Sequence, residues 1–98
     1  MTWHRAAGPD EVPEGGVRLV QAAGRSIALA RHGGKYWALD NRCPHSGGPL
    51  SEGTIENGVL VCPWHGREYD LGTGQCAGFQ PVATYPVEVR PDGVFVEA

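Results

Sequence analysis

The sequence predicts an all-β single domain spanning residues 1–98, with an antiparallel base and a smaller inserted subdomain. The base is formed by residues about 1–41 and 82–98, and the insert by about 42–81. Three observations carry this. Apolar residues alternate with polar or small ones over short stretches, the period of a half-buried strand. Turn signals separate those stretches, in a chain with 15 Gly and 8 Pro among 98 residues. No stretch sustains a helical period for longer than about one turn.

Taken in order, Trp3 falls in a short first strand. Pro9 to Gly16 is an acidic, proline-bounded turn ended by Gly15-Gly16. Val17, Leu19 and Gln21 alternate with Arg18 and Val20, which predicts a strand up to the Ala23-Gly24 turn. Ile27 and Leu29 alternate with smaller neighbours as far as Arg31. Gly33-Gly34 is a hairpin signal, and Trp37 and Leu39 then share a face of Lys35–Asp40. His32, beside that turn, and His4, near the start, are expected to be exposed. Thr54–Glu56 and Val59–Val61 flank Asn57-Gly58, a pair suited to the positive φ of a type I′ turn, so a second hairpin is expected. Arg67–Leu71 reads as a short strand ended by Gly72-Thr73-Gly74, and Gly78 to Pro81 as a loop. Tyr85, Val87 and Val89 alternate again, with Pro86 placing the strand at an edge. Asp92-Gly93 turns the chain into Val94–Glu97.

The composition excludes several classes of function. A net charge of −3 with no basic run offers nothing to nucleic acid. No apolar stretch approaches the roughly 18 residues of a membrane span, and Met1 to Arg5 lacks a secretion-type apolar region. Three cysteines are an odd count that argues against a disulfide scaffold and fits a reducing cytoplasm. Cys76 is expected to be a small buried apolar residue.

On either side of the second hairpin lie Cys43-Pro44-His45 and Cys62-Pro63-Trp64-His65, a C-x-H arm and a C-x-x-H arm sixteen residues apart. Thiolates and imidazoles in such pairs point to a metal. The second hairpin accounts for the gap, because it carries the chain away and returns Cys62 beside Cys43. Zinc accepts two Cys and two His, but its finger signature pairs Cys with Cys and His with His. Here each arm mixes the two, which suits two adjacent metals, each arm giving its Cys to one and its His to the other.

These arms, with Gly47-Gly48-Pro49-Leu50 after the first and Gly66-Arg67-Glu68-Tyr69-Asp70 after the second, resemble the Rieske [2Fe–2S] family. The resemblance implies an antiparallel β-sandwich base with an inserted cluster-binding subdomain. It also implies one [2Fe–2S] cluster, with Cys43 and Cys62 on one iron and His45 and His65 on the other. Tyr69 matches the tyrosine that donates to a cysteine sulfur, and Pro81 the proline of the loop that covers the cluster. Two Fe(III), two sulfides, two thiolates and neutral imidazoles make the oxidised centre neutral, whereas four cysteines leave two negative charges. Reduction is therefore easier, at about −150 to +300 mV against about −400 mV. High-potential members add a disulfide between the loops and a Ser after the H-G pair. Here those positions hold Gly48 and Trp64, and Arg67, so a potential below zero is expected, and Arg67 is expected to face solvent.

The implied function is that of a bacterial Rieske-type ferredoxin, a one-electron carrier rather than an enzyme. It would act as a cytoplasmic monomer between a flavin-dependent NAD(P)H reductase and a terminal oxygenase. The alternative is a small Rieske-fold subunit of a larger oxidoreductase such as nitrite reductase. Electrons are expected to pass at the His45/His65 edge, rimmed by Pro44, Phe79 and Pro81.

Overall fold

The computed structural model describes all residues, Met1–Ala98. It contains ten strands and one 3₁₀ turn, Leu50–Glu52, and no α-helix. Strands β1 (Trp3–Ala7), β9 (Val87–Arg90) and β10 (Gly93–Glu97) form one antiparallel sheet in the order β1-β10-β9. Strands β2 (Val17–Ala22), β3 (Arg25–His32), β4 (Lys35–Asp40) and β8 (Thr84–Tyr85) form a second, in chain order. Strands β5 (Thr54–Glu56), β6 (Val59–Val61) and β7 (Glu68–Asp70) form a third, inserted between β4 and β8.

The expected turns are present. Asn57 and Gly58 have φ of 51° and 80°, as a type I′ hairpin requires, and pair Glu56 with Val59. Ala23 takes φ of 53° before Gly24, a left-handed conformation that costs an alanine about 1–2 kcal/mol.

The core divides in two, and β3 separates the halves. Ile27 and Leu29 point to one side, where they meet Val20, Ala38, Val94 and Val96 of the two facing base sheets. Ala28 and Ala30 point to the other, into a cluster holding Leu39, Leu50, Leu60, Cys43, Cys62 and Tyr69. All four of these β3 residues are fully buried, so the strand is covered on both faces. The small neighbours of Ile27 and Leu29 are thus not solvent-facing spacers: alanine on that face lets the inserted sheet and its loops approach closely. Truncating Leu39, Leu50 or Leu60 to alanine would cost about 2–5 kcal/mol each.

Alternation misleads where the second layer stops. Leu19 is 53% exposed and Val89 63%, while Val20 is buried. Their strands have the right period, but nothing lies above those positions. The strand expected through Tyr85, Val87 and Val89 is broken at Pro86. Tyr85 ends β8, on the edge of the second sheet, and Val87 begins β9, on the edge of the first. Proline has no N–H to offer a ladder, and here it marks the change of sheet. His4 and His32 are half-buried rather than exposed. His4 sits in β1 and its Nε2 lies 2.8 Å from the Thr2 hydroxyl, and His32 ends β3, its carbonyl accepting from Trp37 Nε1 at 3.2 Å.

Candidate metal centre

Two turns of the same design present the four candidate ligands. In the first, the Cys43 N–H donates to Gly48 O at 2.9 Å and the Gly47 N–H to Cys43 O at 2.7 Å. In the second, the Cys62 N–H donates to Arg67 O at 2.8 Å and the Gly66 N–H to Cys62 O at 3.0 Å. Each cysteine therefore opens a turn closed by a glycine four residues later. Gly47 and Gly66 have φ of 75° and 71°, a region that other residues enter at a cost. A third turn repeats the pattern without a cysteine. The Asp70 N–H donates to Gln75 O, the Gly74 N–H to Asp70 O, and Gly74 has φ of 75°.

The third turn shows what the design does. The Asp70 carboxylate accepts from the N–H groups of Gly72 and Thr73, both at 2.9 Å. The turn thus gathers backbone donors around the side chain that opens it, an anion nest. Those N–H groups, led by Thr73, hold the Asp70 carboxyl below its usual range. The first turn does the same for sulfur. Burial raises the Cys43 thiol, but the Tyr69 hydroxyl, the N–H groups of Ser46 and His45 and the Cys62 thiol outweigh it, and Cys43 comes down to about 7. A thiolate is the ligand form of cysteine.

Cys43 and Cys62 are 0% and 1% exposed, while His45 and His65 lie at the surface with ring centroids 5.1 Å apart in an edge-to-face arrangement. The thiols face the core and the imidazoles the solvent. Tyr69, fully buried in β7, places its hydroxyl 3.1 Å from Cys43 Sγ. Burial, then the contact with Cys43, push the Tyr69 phenol well above its usual range. With one group held neutral and the other drawn toward the anion, Tyr69 is the donor.

The loops meet through Gly48, where an added Cβ would come within 3.0 Å of the Trp64 ring and 3.2 Å of Cys62 Sγ. The two positions that carry the inter-loop disulfide in high-potential relatives are in contact here as glycine and indole. Trp64 is nonetheless 58% exposed. Arg67 corrects an expectation. It does not face solvent: its guanidinium carbon lies 3.4 Å from the centroid of the Phe79 ring, and its Nη2 lies 3.4 Å from His45 Nε2. Burial, Arg67 and His65 all hold His45 below its usual pKa. Beside it lies a pocket of about 220 Å³ lined by Pro44, His45, Arg67, Tyr69, Phe79 and Gln80. Pro81 is exposed on the loop beyond Gln80 and does not line this pocket. Cys76 is buried in the core, as expected.

The family model of the Rieske [2Fe–2S] domain matches residues 2–89. The chain belongs to the Rieske [2Fe–2S] family. Among its relatives is the 3-phenylpropionate/cinnamic acid dioxygenase ferredoxin subunit of Photorhabdus laumondii, 35% identical over 89% of this chain and 86% of that protein. Another is the ferredoxin component of the naphthalene 1,2-dioxygenase system of Pseudomonas aeruginosa, 35% identical over 97% and 94%. A similar solved structure is a complex of reduced oxygenase and oxidised ferredoxin in carbazole 1,9a-dioxygenase, with a TM-score of 0.87 and 31% identity over 96% of this chain and 91% of the matched one. The chain is an electron-transfer member of the family and holds one Rieske-type [2Fe–2S] cluster.

Its residues fit that cluster. No three His, Cys, Asp or Glu side chains converge as a single tetrahedral metal would require. Two soft donors and two borderline donors instead stand in pairs, the set a binuclear Rieske centre uses. Three buried side-chain polar atoms in the protein lack a hydrogen-bond partner: Arg31 Nε, Ser46 Oγ and Arg67 Nη1. Two of the three belong to the cysteine turns, and both can donate. Sequence reasoning passed over Ser46. Its hydroxyl beside a ligand-bearing turn was the available signal.

Proposed function

We propose that this Rieske protein is the ferredoxin of a multicomponent oxygenase system. It receives electrons from a flavin-dependent NAD(P)H reductase and delivers them to a terminal oxygenase. In this reading Cys43 and Cys62 would hold one iron of the cluster, and His45 and His65 the other. Two buried thiols backed by a core tyrosine, opposite two surface imidazoles, are the observation that carries it. Similarity to ferredoxin components along nearly the whole chain supports the choice of system.

When bound, the cluster supplies a one-electron couple and no other chemistry. The protein supplies the rest. The first cysteine turn and Tyr69 direct donors at the Cys43 sulfur, which favours the more negative, reduced state. The imidazoles bring the outer edge to the surface, where a partner approaches closely. Trp64 and Phe79, 58% and 55% exposed, flank that edge and form, with Pro44, an apolar docking rim. No helix of the protein is long and apolar enough to cross a membrane.

The test is analytical. Protein purified without oxygen should contain iron and acid-labile sulfide in equal amounts and give a rhombic paramagnetic signal on reduction. Replacing Cys43 or His65 with serine or alanine should abolish that signal. A colourless protein with stoichiometric zinc would sink the reading.

A further inference from the structure

Ser46 is the one hydroxyl of the ligand turns, and its surroundings leave it without an acceptor. Its Oγ is shielded from solvent, yet no protein atom accepts from it. Leaving a buried hydroxyl unsatisfied is costly, and a native site holds such a group where an absent partner completes it.

The protein contains its own precedent for where that hydroxyl stands. Ser46 stands three residues after Cys43, and its N–H is among the groups that lower the Cys43 thiol. In the third turn the corresponding residue is Thr73, three after Asp70, and its N–H bonds to the Asp70 carboxylate at 2.9 Å. The Thr73 hydroxyl stays within its own turn, accepting from the Gln75 N–H at 3.2 Å. A hydroxyl at this place is therefore carried on the residue whose N–H faces the anion the turn encloses. In the first turn that anion is sulfur. Cys43 Sγ takes the Tyr69 hydroxyl at 3.1 Å, and it does not accept from Ser46 Oγ.

We propose that Ser46 is a positioning residue whose hydroxyl donates to a sulfur of the bound cluster and raises its reduction potential alongside Tyr69. The proposal rests on the ligand assignment above. It restores by another route the second hydroxyl donor that Arg67 displaces from the position after His65-Gly66. A donor to sulfur is favoured more strongly in the reduced state, since that state carries one more negative charge.

The experiment uses the cluster-loaded protein and its Ser46→Ala and Ser46→Thr variants. Each is assayed for iron and sulfide, titrated spectroelectrochemically, and examined in its reduced form by electron–nuclear double resonance in H₂O and D₂O. Ser46→Ala should keep its cluster and shift the one-electron equilibrium about five- to tenfold toward the oxidised form, a fall of about 40–60 mV at 59 mV per tenfold. It should also lose one exchangeable proton coupling. Ser46→Thr, which keeps the hydroxyl, should retain that coupling and stay near the native potential. A merely structural serine would move neither readout. An unchanged potential and coupling in Ser46→Ala, with cluster content intact, would overturn the proposal and leave the ligand assignment standing. A Ser46→Thr variant that behaves as Ser46→Ala would overturn it too. Native protein without iron and sulfide would overturn both.

Discussion

Replacing Tyr69 with phenylalanine isolates one hydrogen bond. The ring is fully buried in the middle of β7 and packs among the core residues around the cysteines, so phenylalanine keeps the packing. The hydroxyl lies 3.1 Å from Cys43 Sγ and makes no other hydrogen bond. Its removal strands no donor, and Cys43 keeps the N–H groups of Ser46 and His45. Folding stability should therefore change by less than about 1.5 kcal/mol. The redox effect is larger in relative terms. A hydrogen bond to a charged acceptor contributes about 1.5–3 kcal/mol, and only the part that grows when an electron is added reaches the potential. If roughly 1 kcal/mol grows on reduction, the equilibrium changes about fivefold and the potential falls by about 40 mV, at 59 mV per tenfold. Spectroelectrochemical titration of native and Tyr69→Phe protein at equal cluster content measures it directly. A potential that stays within about 10 mV of native, or that rises, would refute the argument that the tyrosine donates to a sulfur that gains charge.

Two further outcomes follow from other parts of the molecule. Phe79→Ser removes an exposed ring from the docking rim without placing a charge against Arg67, and it should slow reduction by the partner reductase several-fold in stopped-flow measurements at unchanged cluster content. Glu88→Gln, on β9 of the base, should do little, and the reverse result would put the docking face elsewhere. The Glu14 carboxylate accepts from the N–H groups of Gly33 and Gly34 at 2.8 and 2.9 Å, and those bonds, led by Gly34, hold its pKa below the ordinary 4.5. Its stabilising effect is thus fully present above pH 4.5 and lost as pH falls through the lower folded value. Thermal melts across acid pH should show the native protein ahead of Glu14→Gln near neutrality, with the gap closing in acid; a gap independent of pH would count against the bond.

Much of this was legible in the chain, and the reasons are local. Asn57-Gly58 needs positive φ at both residues, and few other dipeptides suit that turn. The arms place donors at intervals that only one inserted hairpin reconciles. What escaped was set by residues distant in sequence. Arg67 turns from solvent because Phe79, in a later loop, offers a ring face to its guanidinium. Leu19 is exposed because no second layer reaches it, a fact its own strand does not encode. Pro81 keeps its place in the loop order, but the pocket beside His45 takes Phe79 and Gln80 instead.

The repeated turn was visible in part. Gly47, Gly66 and Gly74 each stand four residues after the residue that opens a turn, but the openers are cysteine, cysteine and aspartate, which no residue pattern joins. Their shared property is that each can become an anion. Backbone donors gathered by a turn do not distinguish a carboxylate oxygen from a thiolate sulfur, since both are satisfied by N–H groups pointing inward. The candidate metal centre therefore pairs two copies of this turn, brought together by the hairpin between them. Glycine at position 48 lets the copies touch, because a Cβ there would press on the Trp64 ring and the Cys62 sulfur. The third copy, at Asp70, is turned to other use. In the reading proposed above, cysteine at two of the three openings, with an imidazole two or three residues on, turns a structural device into a redox site.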